Sequence, residues 1–257
     1  MIFIKGEQEV NLIREASNIL SRTLGLVAQE IKPGITTKQL DQRAEEFIRD
    51  QSGTPAFKGF EKFPASLCTS VNEVVAHGIP NHSPLKEGDI VSIDCGVVYK
   101  GFYSDAAFTF PVGKVSPKAS KLLRITKEAL YKGIKQAIPG QRIGDIGQAI
   151  ENHAHKHGYS VVRVLGGHGI GKNLHEDPDI PNYGKKGRGA ALKPGMVLAI
   201  EPMINVGRSA VVTAKDGWTL RTSDRELSAH FEHTIALGAH ATEILTTYQY
   251  IDEALKT

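Results

Sequence analysis

The chain has 257 residues, 40% hydrophobic and 23% charged, with 31 Lys and Arg against 28 Asp and Glu and a formal net charge of +3. It is long enough to bury a core without staples, as one large domain or two small ones, and its composition excludes a disordered or collagen-like chain. Two cysteines, Cys68 and Cys95, argue against a disulfide scaffold and point to a reducing compartment. No run approaches the roughly 18 apolar residues that cross a bilayer, and Glu7 and Glu9 follow Met1 too soon for a secretory signal. The positive balance is spread rather than blocked, which gives a polyanion little to hold.

In chain order, Val10, Ile13, Leu20, Leu24, Val27 and Ile31 recur mostly at three- and four-residue steps. This is the stripe of an amphipathic helix, ended by Pro33-Gly34. A second helix is predicted from Thr36, with Gln39 completing a capping box, to about Asp50. Strand-like Ile90 to Asp94 and Gly101 to Phe110 flank a turn at Tyr99-Lys100-Gly101. A third helix opens at Ser116-Pro117, a cap followed by proline at the first helical position, and runs to about Gln136, before Pro139-Gly140. A fourth spans about Ile143 to His157, and Ser160 to Leu165 reads as a strand. Met196 to Val206 and His230 to Leu237 are apolar runs broken by single acids, with a hairpin turn signal at Asp216-Gly217 between them. Pro33-Gly34 and Pro139-Gly140 stand 106 residues apart, and at that offset Leu40 falls on Ile146 and Ala44 on Ile150. The period is too long for a solenoid and suits two similar halves facing each other. Helices then strands, twice over, read as an α+β fold with mostly antiparallel sheet. With no linker-like tract, residues 1–257 are expected to form one domain of two pseudo-equivalent halves.

Lone carboxylates are out of place in apolar strands, because an unpaired buried charge costs several kcal/mol at least. Four occur here: Asp94, Asp105, Glu201 and Glu232. With the turn near Tyr99-Lys100, Asp94 and Asp105 fall opposite or diagonally opposite on one face of a hairpin, where two carboxylates repel and a cation removes the conflict. The long hairpin through Asp216-Gly217 brings the strands of Glu201 and Glu232 side by side. Four carboxylates balance two divalent cations, and oxygen-rich ligation with one imidazole favours Mn, Fe or Co. The imidazole candidate is His168, among four glycines in Gly166-Gly167-His168-Gly169-Ile170-Gly171, which let the backbone pass close to an ion or ligand. His175 and His77 are further candidates. His153, His155 and His157 read as a solvated face. Gly166-x4-Gly171-Lys172 nearly forms a phosphate loop, but Asn173 stands where Ser or Thr is needed. No Gly-x-Ser-x-Gly elbow occurs, and Cys68 reads as a buried structural thiol rather than a nucleophile paired with His77.

The set Asp94, Asp105, His168, Glu201 and Glu232 resembles the five-ligand site of the methionine aminopeptidases. The neighbourhoods match too: Ser66 to Glu73, His77-Gly78-Ile79-Pro80, His175-Glu176, Ile200-Glu201-Pro202-Met203 and Glu232-His233-Thr234. The resemblance runs from about Glu7 to Leu245. It is to the short bacterial type I form, since no zinc-binding extension precedes the first helix and the 31-residue step from Glu201 to Glu232 leaves no room for the type II insert. It implies a pita-bread fold, a pseudo-twofold antiparallel sheet covered by helices. It also implies two divalent ions (Co, Mn, Fe, Ni or Zn) bridged by Asp105 and Glu232, with Asp94 on one and His168 and Glu201 on the other.

The implied activity is removal of the initiator methionine when the second residue is small, by a dinuclear metal hydroxide attacking the first peptide bond. Glu201 would shuttle the proton, His175 would bind the scissile carbonyl and His77 the peptide amide. Cys68, Trp218, Phe60 and Phe63 would line the methionine pocket. Phe60 and Phe63 stand where familiar bacterial members carry Tyr, and Phe57 and Leu174 replace a Cys and a Phe; all keep the pocket apolar. A monovalent cation near Asn72, Val74 and Ser228 is implied as well. The expected setting is a cytoplasmic monomer acting on nascent polypeptide N-termini, with ribosome association, and without membrane or sequence-specific nucleic-acid partners. The alternatives are an Xaa-Pro dipeptidase-like hydrolase of the same fold, whose chains usually carry an extra N-terminal domain, and a non-catalytic binding protein on this fold.

Overall fold

The computed structural model describes residues 1–256. Four long helices form where the periodicity places them: α1 (Glu7–Glu30), α2 (Thr37–Asp50), α3 (Pro117–Ile134) and α4 (Ile143–Lys156), followed by a short α5 (Gln249–Ala254). Thr36 caps α2 with the expected box: its hydroxyl accepts the Gln39 N–H at 3.2 Å, and its own N–H donates to Gln39 Oε1 at 3.0 Å. Ser116 caps α3 with Pro117 behind it, accepting the Ala119 N–H at 3.2 Å. Leu40, Ala44, Ile146 and Ile150 are all fully buried, each large side chain contributing about 1.5–3 kcal/mol by leaving water.

The duplication extends from helix faces into the backbone. Before α2, Gly34 N–H donates to Leu85 O and Leu85 N–H to Ile35 O, both at 2.8 Å. Before α4, Gly140 N–H donates to Leu192 O at 3.3 Å and Leu192 N–H to Gln141 O at 2.9 Å. The same two-bond clasp therefore enters the second helix of each half.

Strand Ile90–Tyr99 pairs antiparallel with Phe102–Pro111 along its whole length and, on its other edge, with Leu67–Val71 and Thr54–Pro55. A five-stranded antiparallel sheet follows the order Thr242–Ile244, His233–Leu237, Val197–Ile200, Gly166–Gly169, Glu176–Pro181. The runs Met196 to Val206 and His230 to Leu237 do lie side by side, but each divides into two strands. Val197–Ile200 pairs with His233–Leu237, and Met203–Asn205 with Ser228–His230, in separate sheets. The breaks fall at Glu201-Pro202 and Phe231-Glu232, where proline supplies no ladder N–H. The expected strand from Ser160 to Leu165 is reduced to Ser160–Val161. The Asp216-Gly217 turn joins Val211–Thr213 to Leu220–Thr222, with Asp216 Oδ1 accepting the N–H groups of Trp218 and Thr219 at 2.9 Å. Leu220–Thr222 also pairs with Val74–Ala76, so Trp218 and His77 are carried by neighbouring strands. No helix among the described residues is long and apolar enough to cross a membrane.

Candidate metal centre

Asp94 stands opposite Ala107 and Asp105 opposite Gly96. The two acids are thus diagonal neighbours on one face of the hairpin, and their carboxyl groups are within hydrogen-bonding reach of each other. Glu201 and Glu232 occupy the two strand breaks, where the backbone leaves one sheet for the next and can aim a side chain between them. A seam of hydrogen bonds joins the halves behind these acids. Asp105 N–H donates to Thr234 Oγ1 at 3.0 Å, Thr234 Oγ1 donates to Asp105 O at 2.7 Å, and Glu232 N–H donates to Ala107 O at 2.9 Å. Tyr248 Oη, beneath the seam, donates to Ala107 O at 2.7 Å.

Asp105, His168 and Glu232 bring ligand atoms within 4.8 Å of one another. His168 Nε2 lies 3.7 Å from Glu201 Oε1. His168 Nδ1–H donates to Gly169 O at 2.9 Å, which fixes the tautomer and leaves Nε2 as a free lone pair. The glycines around His168 serve a different purpose from the expected approach to a ligand. A Cβ at Gly167 would lie 2.1 Å from Ala199 O, and one at Gly169 would lie 2.2 Å from Asp177 O; they let His168's strand pack between its neighbours. The run is strand rather than a loop leading into a helix, so the phosphate-loop reading fails.

Burial, reinforced by mutual repulsion, raises the carboxyl groups. Asp105 and Glu232 are pushed well above the ordinary range, and burial pushes Asp94 up to about 6. Asp94 Oδ1, Asp105 Oδ1 and Glu232 Oε1 are buried without a hydrogen-bond partner among the described residues. Crowded acids with orphaned oxygens beside a free imidazole nitrogen are what divalent cations stabilise, so the residues present fit a metal.

The centre opens onto two spaces. One is a small cavity of about 150 Å³ lined by Phe57, Phe60, Phe63, Cys68, Leu174 and Trp218, with His77, His175 and the acids also on its wall. Burial first, then Asp94 and Asp105, hold the Cys68 thiol well above its ordinary pKa, so it is a neutral, polarizable wall. A turn with Gly59, Glu61 and Lys62 at φ 90°, 46° and 73° carries Phe60 and Phe63 into the cavity, and Glu61, which the spacing does not single out, stands on its lining. The other space is an open cleft of about 520 Å³ bounded by His77, Arg163, Asp179, Tyr183, Met203 and His230.

His77 adopts φ 55°, a strained value for a non-glycine residue of the kind that gathers at functional sites. Burial lowers its pKa. Burial, followed by the neighbouring His168, lowers His175 to about 4; its ring meets His168 edge-on at 4.5 Å and Phe60 at 5.3 Å. His175 rides on a loop pinned from below by a buried ion pair, Lys5 Nζ to Glu176 Oε2 at 2.6 Å, with side chains 5% and 3% exposed. At the Asn72 corner, Ser228 N–H donates to Asn72 O at 3.0 Å. Away from the centre, His153 is buried and bonded to Glu128 at 3.0 Å rather than solvated, and these two with His157 form a second group of possible ligands. His230, which sequence spacing leaves without a role, is 2% exposed at the centre itself. Its signal was the two-residue period of a strand: His230-x-Glu232 shares a face.

The fold and this centre define a metal-dependent hydrolase, and the comparisons narrow the class. Residues 11–239 match the model of Metallopeptidase family M24. A methionine aminopeptidase of Clostridium perfringens is 54% identical over 96% of this chain and 99% of its own length, and methionine aminopeptidase 1 of Bacillus subtilis is 50% identical over the same shares. The crystal structure of methionine aminopeptidase from Rickettsia prowazekii superposes with a TM-score of 0.95 at 45% identity, covering 96% of this chain and 100% of that one. Prolidase from Pyrococcus furiosus shares the fold, with a TM-score of 0.77 at 24% identity, over 95% of this chain and 65% of its own. The chain belongs to metallopeptidase family M24 and, within it, to the methionine aminopeptidases of type I.

Proposed function

We propose that the protein removes the N-terminal methionine from nascent polypeptides whose second residue is small. The observation that carries this is one small cavity, the size of a side chain, that is lined both by apolar side chains and by Asp94, Asp105, His168, Glu201 and Glu232. Asp94, Asp105, His168, Glu201 and Glu232 would together hold two divalent ions; the oxygen-rich set suits Mn, Fe or Co, and Ni and Zn are further candidates. When bound, such ions supply Lewis-acid activation of water and of the scissile carbonyl.

The chain's own residues do the rest. Phe60, Phe63, Cys68 and Trp218 take the methionine side chain, and the small volume of the cavity leaves room for the first residue's side chain and no more. Glu201 receives the proton of the attacking water and delivers it to the leaving nitrogen. His175, neutral at pH 7 because its pKa is about 4, donates an N–H to the carbonyl oxygen as charge develops there. His77, at the junction of cavity and cleft, holds the peptide amide and steadies the leaving nitrogen. The open cleft receives the chain beyond.

All these side chains come from one polypeptide, which supports a single catalytic domain, residues 1–257, that works as a monomer; the cytoplasm, beside the ribosome that delivers the substrate, is the proposed setting. A monovalent cation at Asn72, Val74 and Ser228 belongs to the same proposal. The test is release of methionine from a Met-Ala-Ser peptide by chelator-stripped protein resupplied with Mn, Co or Fe. Folded protein that releases none under any of these metals would overturn the reading.

A further inference from the structure

The duplication assigns a partner to every position around the centre, and it singles out His230. In the first half Asp94 faces Ala107, Gly96 faces Asp105 and Ser92 faces Thr109. In the second, Ala199 faces Thr234 and Met203 faces His230, with one register kept across the strand breaks. The 107-residue shift that takes Leu85 onto Leu192 in the two clasps takes Asp94 onto Glu201 and Gly96 onto Met203. Their partners follow: Thr109 falls on Thr234, Ala107 on Glu232, and Asp105 on His230.

A second, independent observation agrees with this mapping. Thr234 Oγ1 grips both the N–H and the carbonyl of Asp105, at 3.0 and 2.7 Å. Thr109 Oγ1 grips both the N–H and the carbonyl of His230, at 2.9 and 2.7 Å. His230 is thus seated in the second half as Asp105 is seated in the first, by the mate of the same threonine. Its side chain points the same way. Nε2 lies 3.3 Å from Glu201 Oε2 and 4.0 Å from Glu232 Oε2, buried and without an aligned hydrogen-bond partner. Asp94 touches Asp105 in one half; Glu201 touches His230 in the other.

We infer that His230 is a positioning residue for Glu201, its Nε2–H closing onto Oε2 and thereby holding Oε1 towards His168. A donor locked by packing and by a backbone grip on both sides fixes the carboxylate's rotation, and a hydrogen bond to an ionised carboxylate is among the stronger ones available. Among the described residues no other charged nitrogen comes this close to Oε2, so an unheld Glu201 would be free to turn its oxygens. The inference rests on the proposed part of Glu201 as ligand and proton carrier.

The test uses full-length protein, stripped by chelator and titrated calorimetrically with Mn(II), with kcat and KM for Met-Ala-Ser measured in parallel. H230L, which cannot donate, should weaken Mn(II) affinity and lower kcat by about 10–100-fold each, while H230Q, whose amide can donate over a similar reach, stays within about threefold of the parent. KM and the melting temperature of the stripped protein should stay near parental values in both. H230L that matches the parent in affinity and kcat, or H230Q as impaired as H230L, overturns the inference. Should H230L not fold, H230N decides, because its amide is one methylene short of Glu201. Asn losing what Gln keeps supports the assignment, and Asn and Gln behaving alike overturns it. A parent protein that binds Mn(II) yet releases no methionine would sink the proposed function, while the affinity series would still judge His230.

Discussion

Glu232 combines the marks of a residue kept for a ligand: it is 2% exposed, its Oε1 has no partner among the described residues, and its pKa is driven up by burial and by Asp105. Glu232→Ala should therefore abolish methionine release and cut Mn(II) affinity by more than the ~10–100-fold typical of outer-shell changes, read by calorimetry and peptide assay. A variant that keeps full activity would remove Glu232 from the centre. In the proposed function His175 meets substrate rather than metal, so His175→Ala should lower kcat by about 10²–10³-fold and leave Mn(II) affinity near parental. A matching fall in affinity would reassign it. Glu232 and the other acids were legible in the sequence because an acid inside an apolar strand has few explanations, whereas His175 took its role from the family resemblance. His230 was not, since a lone histidine has many, and only the strand period and the threonine grip separate them.

At the level of the element, the glycine strand is the sharpest case. The sequence shows that glycines crowd His168 but not what crowds them, because the backbone oxygens of Ala199, 32 residues after Gly167, and of Asp177 come from the strands on either side. Gly167→Ala would have to push Ala199 O away from 2.1 Å, costing about 1–3 kcal/mol or more. A drop of several degrees in melting temperature is expected, with weakened Mn(II) binding as His168 moves, and a parental melt would refute it. The ends of α2, α3 and α4 were legible to within two residues because capping and periodicity are local signals, while the stripe of α1 begins three residues inside the helix and the short α5 was not foreseen. The strand breaks at Glu201-Pro202 and Phe231-Glu232 were not, because an apolar run does not say which sheet each half of it will join. The same holds for Asp41, buried in α2, whose Oδ1 accepts the N–H groups of Ser66 and Leu67 at 2.8 and 3.0 Å and so anchors the strand of Cys68.

For the molecule as a whole, the charged centre sets how stability depends on pH. Asp94, Asp105 and Glu232 have raised pKa values in the folded, metal-free protein. The folded chain therefore holds protons that the unfolded chain gives up above about pH 4. Their contribution is full below that and is lost as the pH rises through the native values, about 6 for Asp94. His175 and His233, lowered by burial to about 4 and about 3, work in the opposite sense and are shared by both forms. They stabilise above their ordinary pKa near 6.5, and that contribution falls away as the pH drops towards their native values. Metal binds the ionised carboxylates, so the gap in melting temperature between Mn(II)-loaded and stripped protein should widen from pH 5 to pH 8. A gap that narrows over that range would count against the carboxylate cluster as the binding site. The pseudo-twofold was visible as two proline-glycine pairs and two pairs of core positions. Its deeper form, one clasp repeated and one threonine grip repeated, is written in hydrogen bonds and becomes visible only when the halves are folded together.

The buried Lys5–Glu176 pair ties the opening residues of the chain to the loop that presents His175. Removing its cation would strand Glu176's charge away from water, a change of about 3–5 kcal/mol for a broken buried pair, next to His175. Anyone labelling or tethering this protein should therefore attach the handle after α5, since a fusion that drags on Lys5 would cost turnover and stability together.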